Sequence, residues 1–232
     1  MSVIAHEGIN SFHFGARAVL LSDDADHETA SEWASGHMKK NPAYSWILGK
    51  FVEAERPNNN KQFFSTAGLQ MGRPSILHAP MNINHHQNRV VGTFVAAELL
   101  FPKEETAVAS YPHIESLAAF WKYYYPDEYA MVKSAQNDGS LFFSMECVPR
   151  AISTVGGSND SAEYKYEGRT SPNYPSEINE RSVDGINLID PHFVGGALVI
   201  PPEKPGWSRA EVTQMSSLIA DRTDEVSAAY DL

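Results

Sequence analysis

The chain has 232 residues, enough for one sizeable core, and its 42% apolar and 20% charged content is that of a folded globular protein rather than a disordered one. Eighteen basic against 29 acidic side chains leave a net charge of −11, which argues against general nucleic-acid binding, because phosphate contacts need clustered cations. One cysteine, Cys147, excludes an internal disulfide and a cysteine-based zinc site and fits a reducing compartment; no apolar run approaches the ~20 residues of a membrane span.

In chain order, residues 1–15 read as a loose arm, with no basic region followed by an apolar run of the secretory type. Residues 16–21 (ARAVLL) suggest a short strand, and 28–38 a helix on the partial periodicity of Glu28, Ala30, Trp33 and Met38. Residues 46–53 (WILGKFVE) read as a strand that runs into the turn signal Arg56-Pro57-Asn58-Asn59-Asn60. Residues 89–101, rich in Val and Phe, read as a long strand opening just after His85-His86, and 113–124 as an aromatic strand ending at Pro126. Residues 126–137 predict a helix: Pro126 suits its first turn, Asp127 and Glu128 favour its positive end, and Asn137 to Gly139 stop it.

Residues 140–148 (SLFFSMECV) predict the next strand. The Gly-, Ser-, Asn-, Asp- and Pro-rich stretch 153–187 is too long for an ordinary loop and is expected to be a mobile excursion, with a short helix near 176–182. A last strand, 193–200, closes at Pro201-Pro202. Residues 208–229 predict an amphipathic helix with Ser208 and Glu211 as capping box and Val212, Met215, Ile219 and Val226 on one face. Strands do not alternate regularly with helices, so the expected class is α+β: a mostly antiparallel β-barrel or mixed sheet flanked by helices, with a C-terminal amphipathic helix. The division expected is 1–44 arm and helix, 45–202 main domain and 203–232 helical tail.

Three segments carry candidate chemistry. In Asn84-His85-His86-Gln87, an imidazole at a strand entrance can take a proton from a hydroxyl; the bland alternative is a pair of loop histidines. Strand alternation puts Phe143, Met145 and Cys147 on one face, suited to the core, and Phe142, Ser144 and Glu146 on the other. Ser144 is then a nucleophile in a cleft or an ordinary strand serine, and it lies in no G-x-S-x-G elbow. Cys147, pointing into the core, is expected to be inert. In Asp190-Pro191-His192, either Asp190 or His192 is placed to orient His85, or the segment is simply a turn. A rival use of His78, His85, His86 and His192 is a zinc site, but their spacing matches no standard motif, and Gly156-Gly157 and Gly195-Gly196 are followed by no G-K-[ST] of a phosphate loop. No cofactor or metal is expected.

Together these segments resemble the prohead maturation serine proteases of tailed phages. The run His85-His86-Gln87-Asn88-Arg89-Val90-Val91-Gly92 is similar to that family's H-D-x-x-x-P-I-G segment, with His86 in place of Asp and Val90 in place of Pro; this register selects His85 over His86. The strand Leu141-Phe142-Phe143-Ser144-Met145 is similar to the L-S-I-G-[FY] strand around the nucleophile. The stretch 49–60, with Glu53, Glu55 and its Asn run, resembles the opening strand and N-x-N turn. Gly196-Ala197-Leu198-Val199-Ile200-Pro201 resembles the later [ED]-V-S-L-V-x-x-P strand, with Gly195 where the acid of the family stands.

The resemblance covers roughly residues 45–202. It implies an assemblin-like barrel, with Ser144 as nucleophile and His85 as general base. The third member would be His192, as in the Ser-His-His sites of the related herpesvirus assemblins, or Asp190. It further implies backbone N–H groups near the nucleophile as oxyanion donors, with Arg150 as a helper, and no cofactor. The implied substrates are the major capsid protein, the scaffold protein and the chain itself, the last with self-association. The implied setting is the immature phage head in the bacterial host cytoplasm, with neither nucleic acid nor membrane as partner. The alternative is a non-catalytic scaffold or structural protein of the virion on the same fold.

Overall fold

The structure, a computed structural model, describes residues 12–21, 37, 41, 43–58, 61–86, 88–102, 111–156, 163–165, 184–203 and 214–215. They form a mixed α+β fold in which one ten-stranded sheet curls around the core, accompanied by two short helices. The strands are β1 (Phe12–Leu21), β2 (Ser45–Glu53), β3 (Gln62–Phe63), β4 (Pro80–Ile83), β5 (Val90–Leu100), β6 (His113–Phe120), β7 (Phe142–Val155), β8 (Glu163–Lys165), β9 (Gly185–Val199) and β10 (Gln214–Met215). The helices are α1 (Thr66–Gly72), which continues into a 3-10 turn over Arg73–Ile76, and α2 (Pro126–Asn137).

Pairing runs β9–β4–β5–β6–β2–β1–β7, and β7 pairs with β9 again, so the ladder turns back on its own start. Most ladders are antiparallel; β9 runs parallel to β3 and β4, and β10 parallel to β1. The inner face is filled by Phe51, Phe94, Phe143 and Phe193, all fully buried and packed edge-on or tilted with centroids 5.0–6.4 Å apart. Such geometry suits the aromatic quadrupole. Alternation along β7 delivers Phe143, Met145 and Cys147 to this core, as the sequence pattern predicts.

Helix α2 stands where Pro126, the acidic first turn and Gly139 (φ 67°) put it, and buries Glu128, Val132 and Ala135 on one face. Strand β6 stops at Phe120, short of the expected 124, because Trp121 to Tyr124 close a turn through a Tyr124 N–H···O=C Trp121 bond of 3.0 Å. Two elements had no clear signal: α1, a seven-residue helix capped by the Ser65 hydroxyl, which accepts from Gly68 N–H at 3.0 Å, and β4, four residues led by a proline.

The expected excursion at 153–187 is corrected at both ends. β7 runs on to Val155 and β9 starts at Gly185, because Ile152, Thr154, Ile186 and Leu188 are buried along one long hairpin. β8 pairs with β7 inside the same stretch, and the helix expected near 176–182 lies outside the described residues. The helix expected at 28–38 also lies outside them, save His37 in a turn. Of the tail helix expected at 208–229, only Gln214–Met215 are described, and they pair as a strand with β1 and β2. Residues 12–15, read as part of a loose arm, are the first half of β1 and pair with β7. Among the described residues, no helix is long and apolar enough to cross a membrane.

Candidate active site

His85 sits in the connection from β4 to β5. Asn84 and His85 both have left-handed backbones (φ 51° and 60°), and His86 N–H donates to the Ile83 carbonyl at 3.0 Å, the signature of a type I′ turn. This conformation costs a histidine about 1–3 kcal/mol and persists only where its surroundings over-determine it. They do: Asn84 N–H donates to Leu198 O (2.9 Å) and Asn84 Oδ1 accepts from Ile200 N–H (2.8 Å), pinning the turn to the end of β9. On the far side, Arg89 forms an ion pair with the buried Glu128 of α2.

The turn aims the imidazole at β7. His85 Nε2 lies 2.9 Å from Ser144 Oγ, and His85 Nδ1 lies 2.8 Å from Glu146 Oε1. A carboxylate only accepts, so Nδ1 is assigned the proton and Nε2 presents its lone pair to the Ser144 hydroxyl. Hydroxyl, imidazole and carboxylate thus form one directional chain: Ser144 O–H donates to His85, and His85 N–H donates to Glu146.

The register explains why these groups can meet. Asn82, Ala197, Ser144 and Gly15 lie in one lateral row across β4, β9, β7 and β1. One step along β7, on the same face, Glu146 stands opposite Gly195. The carboxylate occupies the space above that glycine: a Cβ there would come 2.9 Å from Glu146 Oε2. Ala197 and Gly195 make a low floor over which the side chains of β4 and β7 reach one another. Beyond Gly195 the β7–β9 register shifts, a β-bulge of the kind found beside active sites.

The carboxylate that meets His85 Nδ1 is that of Glu146, while the expected third members, His192 and Asp190, lie elsewhere. His192 is exposed and pairs with Val148, four residues beyond Ser144, about 13 Å along the strand. Asp190 holds Arg150 at 2.7 Å, and Arg150 also faces Glu163 at 3.7 Å. Arg150 is itself six residues beyond Ser144, about 20 Å along β7, so neither end of that ion pair lies beside Ser144. His86 is exposed, and the imidazole within hydrogen-bond distance of Ser144 is that of His85. Cys147 is fully buried, and burial pushes its thiol far above the ordinary value, which leaves it unreactive. Among the described residues, no three His, Cys, Asp or Glu side chains group as a metal site would require.

Ser144 is only 2% exposed and Glu146 5%, whereas the His85 side chain is 25% exposed. The imidazole is thus the outermost of the three groups. Low exposure strengthens the hydrogen bonds of the chain by excluding competing water. Comparison with protein-family models, with curated proteins and with solved structures finds no match for this chain.

Proposed function

We propose that the chain is a serine endopeptidase of the prohead maturation type, with Ser144 as nucleophile, His85 as general base and Glu146 as the carboxylate that orients it. The observation that carries this is the continuous contact Ser144 Oγ–His85 Nε2 (2.9 Å) and His85 Nδ1–Glu146 Oε1 (2.8 Å), built from stretches of chain 59 residues apart. The order of segments that resembles that family supports the choice of peptide bond as substrate.

In the proposed reaction His85 Nε2 takes the Ser144 proton as Oγ bonds to the scissile carbonyl carbon. The imidazolium, held by Glu146, then gives that proton to the departing amine as the C–N bond breaks. Water, deprotonated by the same imidazole, hydrolyses the ester and restores Ser144. The proposed substrates are the major capsid and scaffold proteins and the chain itself, within the immature head in the host cytoplasm.

Co-expression with the capsid protein tests this. The mass spectrum should show truncated capsid protein with the wild-type chain and only full-length capsid protein with Ser144→Ala; full processing by that variant would defeat the proposal. A second reading, a non-catalytic scaffold or structural virion protein on the same fold, is favoured by the 2% exposure of Ser144. It predicts intact capsid protein with either chain.

A further inference from the structure

We propose that Asn82 is a positioning residue for this site, holding the Glu146 carboxylate in the orientation that His85 needs; the inference builds on the serine hydrolase reading above. Asn82 is 3% exposed, at the middle of β4, in the same lateral row as Ser144 and separated from it by Ala197. Its Nδ2 donates to Glu146 Oε1 at 3.2 Å, the same oxygen that receives His85 Nδ1–H at 2.8 Å. The amide orientation follows from chemistry, since only the NH2 group can donate to a carboxylate.

Two donors converging on one oxygen fix its position more tightly than one. Glu146 reaches this point across Gly195, whose missing side chain leaves room for it. A second donor on Oε1 narrows the orientations open to the carboxylate. Asn82 Oδ1 is buried and has no hydrogen-bond partner among the described residues. A buried amide kept half-satisfied costs stability. Its one side-chain hydrogen bond thus goes to the carboxylate of the hydroxyl–imidazole–carboxylate chain.

The test uses the full chain, a fluorophosphonate probe and two near-isosteric variants. Asn82→Leu removes the donor. The rate of probe attachment to Ser144 should fall on the order of 10- to 100-fold, the value of one hydrogen bond to a charged group. The far-downfield proton resonance of His85 Nδ1–H should shift or broaden. Asn82→Asp places a carboxylate against the same pair, which favours the imidazolium, so the rise of labelling with pH should move to higher pH in this variant but not in Asn82→Leu. A residue of purely structural role would lower the rate uniformly across pH and leave the proton resonance in place. Wild-type resonance in Asn82→Leu, or an unmoved pH limb in Asn82→Asp, overturns the proposal. Absence of labelling in the wild-type chain would instead defeat the hydrolase reading, and the resonance would still decide the role of Asn82.

Discussion

A histidine with φ of 60° is held against its own preference, and the site is built around that fact. The left-handed pair Asn84-His85 turns the imidazole back over β7, while the two Asn84 hydrogen bonds to Leu198 and Ile200 keep the turn from relaxing. Gly195 is the complementary economy on the other strand: it supplies nothing but room. In Gly195→Ala the new methyl would meet Glu146 Oε2 at 2.9 Å and Pro80 O at 3.4 Å. The flexible carboxylate gives way more readily than the backbone, so Tm should change little, while displacement of the carboxylate from His85 lowers fluorophosphonate labelling on the order of 100-fold. Parallel thermal melts and labelling rates check this; an unchanged rate would mean that the carboxylate needs no such clearance.

At the scale of elements, β7 carries both Ser144 and Glu146, and the alternation that buries Phe143, Met145 and Cys147 is what puts these two on one side. That face was legible in the sequence. The role of Glu146 was not assigned, because the resemblance directs attention to the last strand, where Gly195 stands in the place of the acid. The ladder shows Glu146 and Gly195 to be direct cross-strand partners, so the carboxylate that meets His85 lies one strand over from the position the resemblance points to. Short elements escaped for a different reason: α1 and β4 are too brief to show a period, and Pro80 argues against a strand. The polar composition of 153–187 hid the buried alternation that extends β7 and β9 into it.

A second histidine, away from the site, sets a pH limit on the sheet. His113 begins β6, donating Nδ1–H to Tyr111 O at 3.1 Å. Burial lowers its pKa, aided by the charge of Lys50, and the Tyr111 bond, Glu115 and Glu53 only partly oppose this. The folded state thus prefers the neutral ring, and the unfolded chain binds the proton more readily. His113 therefore contributes stability above the ordinary value of 6.5, and that stability drains away as pH falls from there through the lowered folded value. Chemical denaturation between neutral and mildly acidic pH should show a decline that is shallower in His113→Asn; equal slopes would remove His113 as a cause.

For the molecule as a whole, the curled sheet brings the β4–β5 connection, the centre of β7 and the end of β9 to one place, although they are spread over about half of the chain. The proposed reactivity of Ser144 depends on an intact fold, since it needs His85 beside it. Peptide mapping by mass spectrometry after treatment of the native chain with a fluorophosphonate asks about this directly. The account predicts one adduct, on Ser144, lost in His85→Ala and in urea; native protein with no adduct on Ser144, or an adduct that survives both treatments, would contradict it.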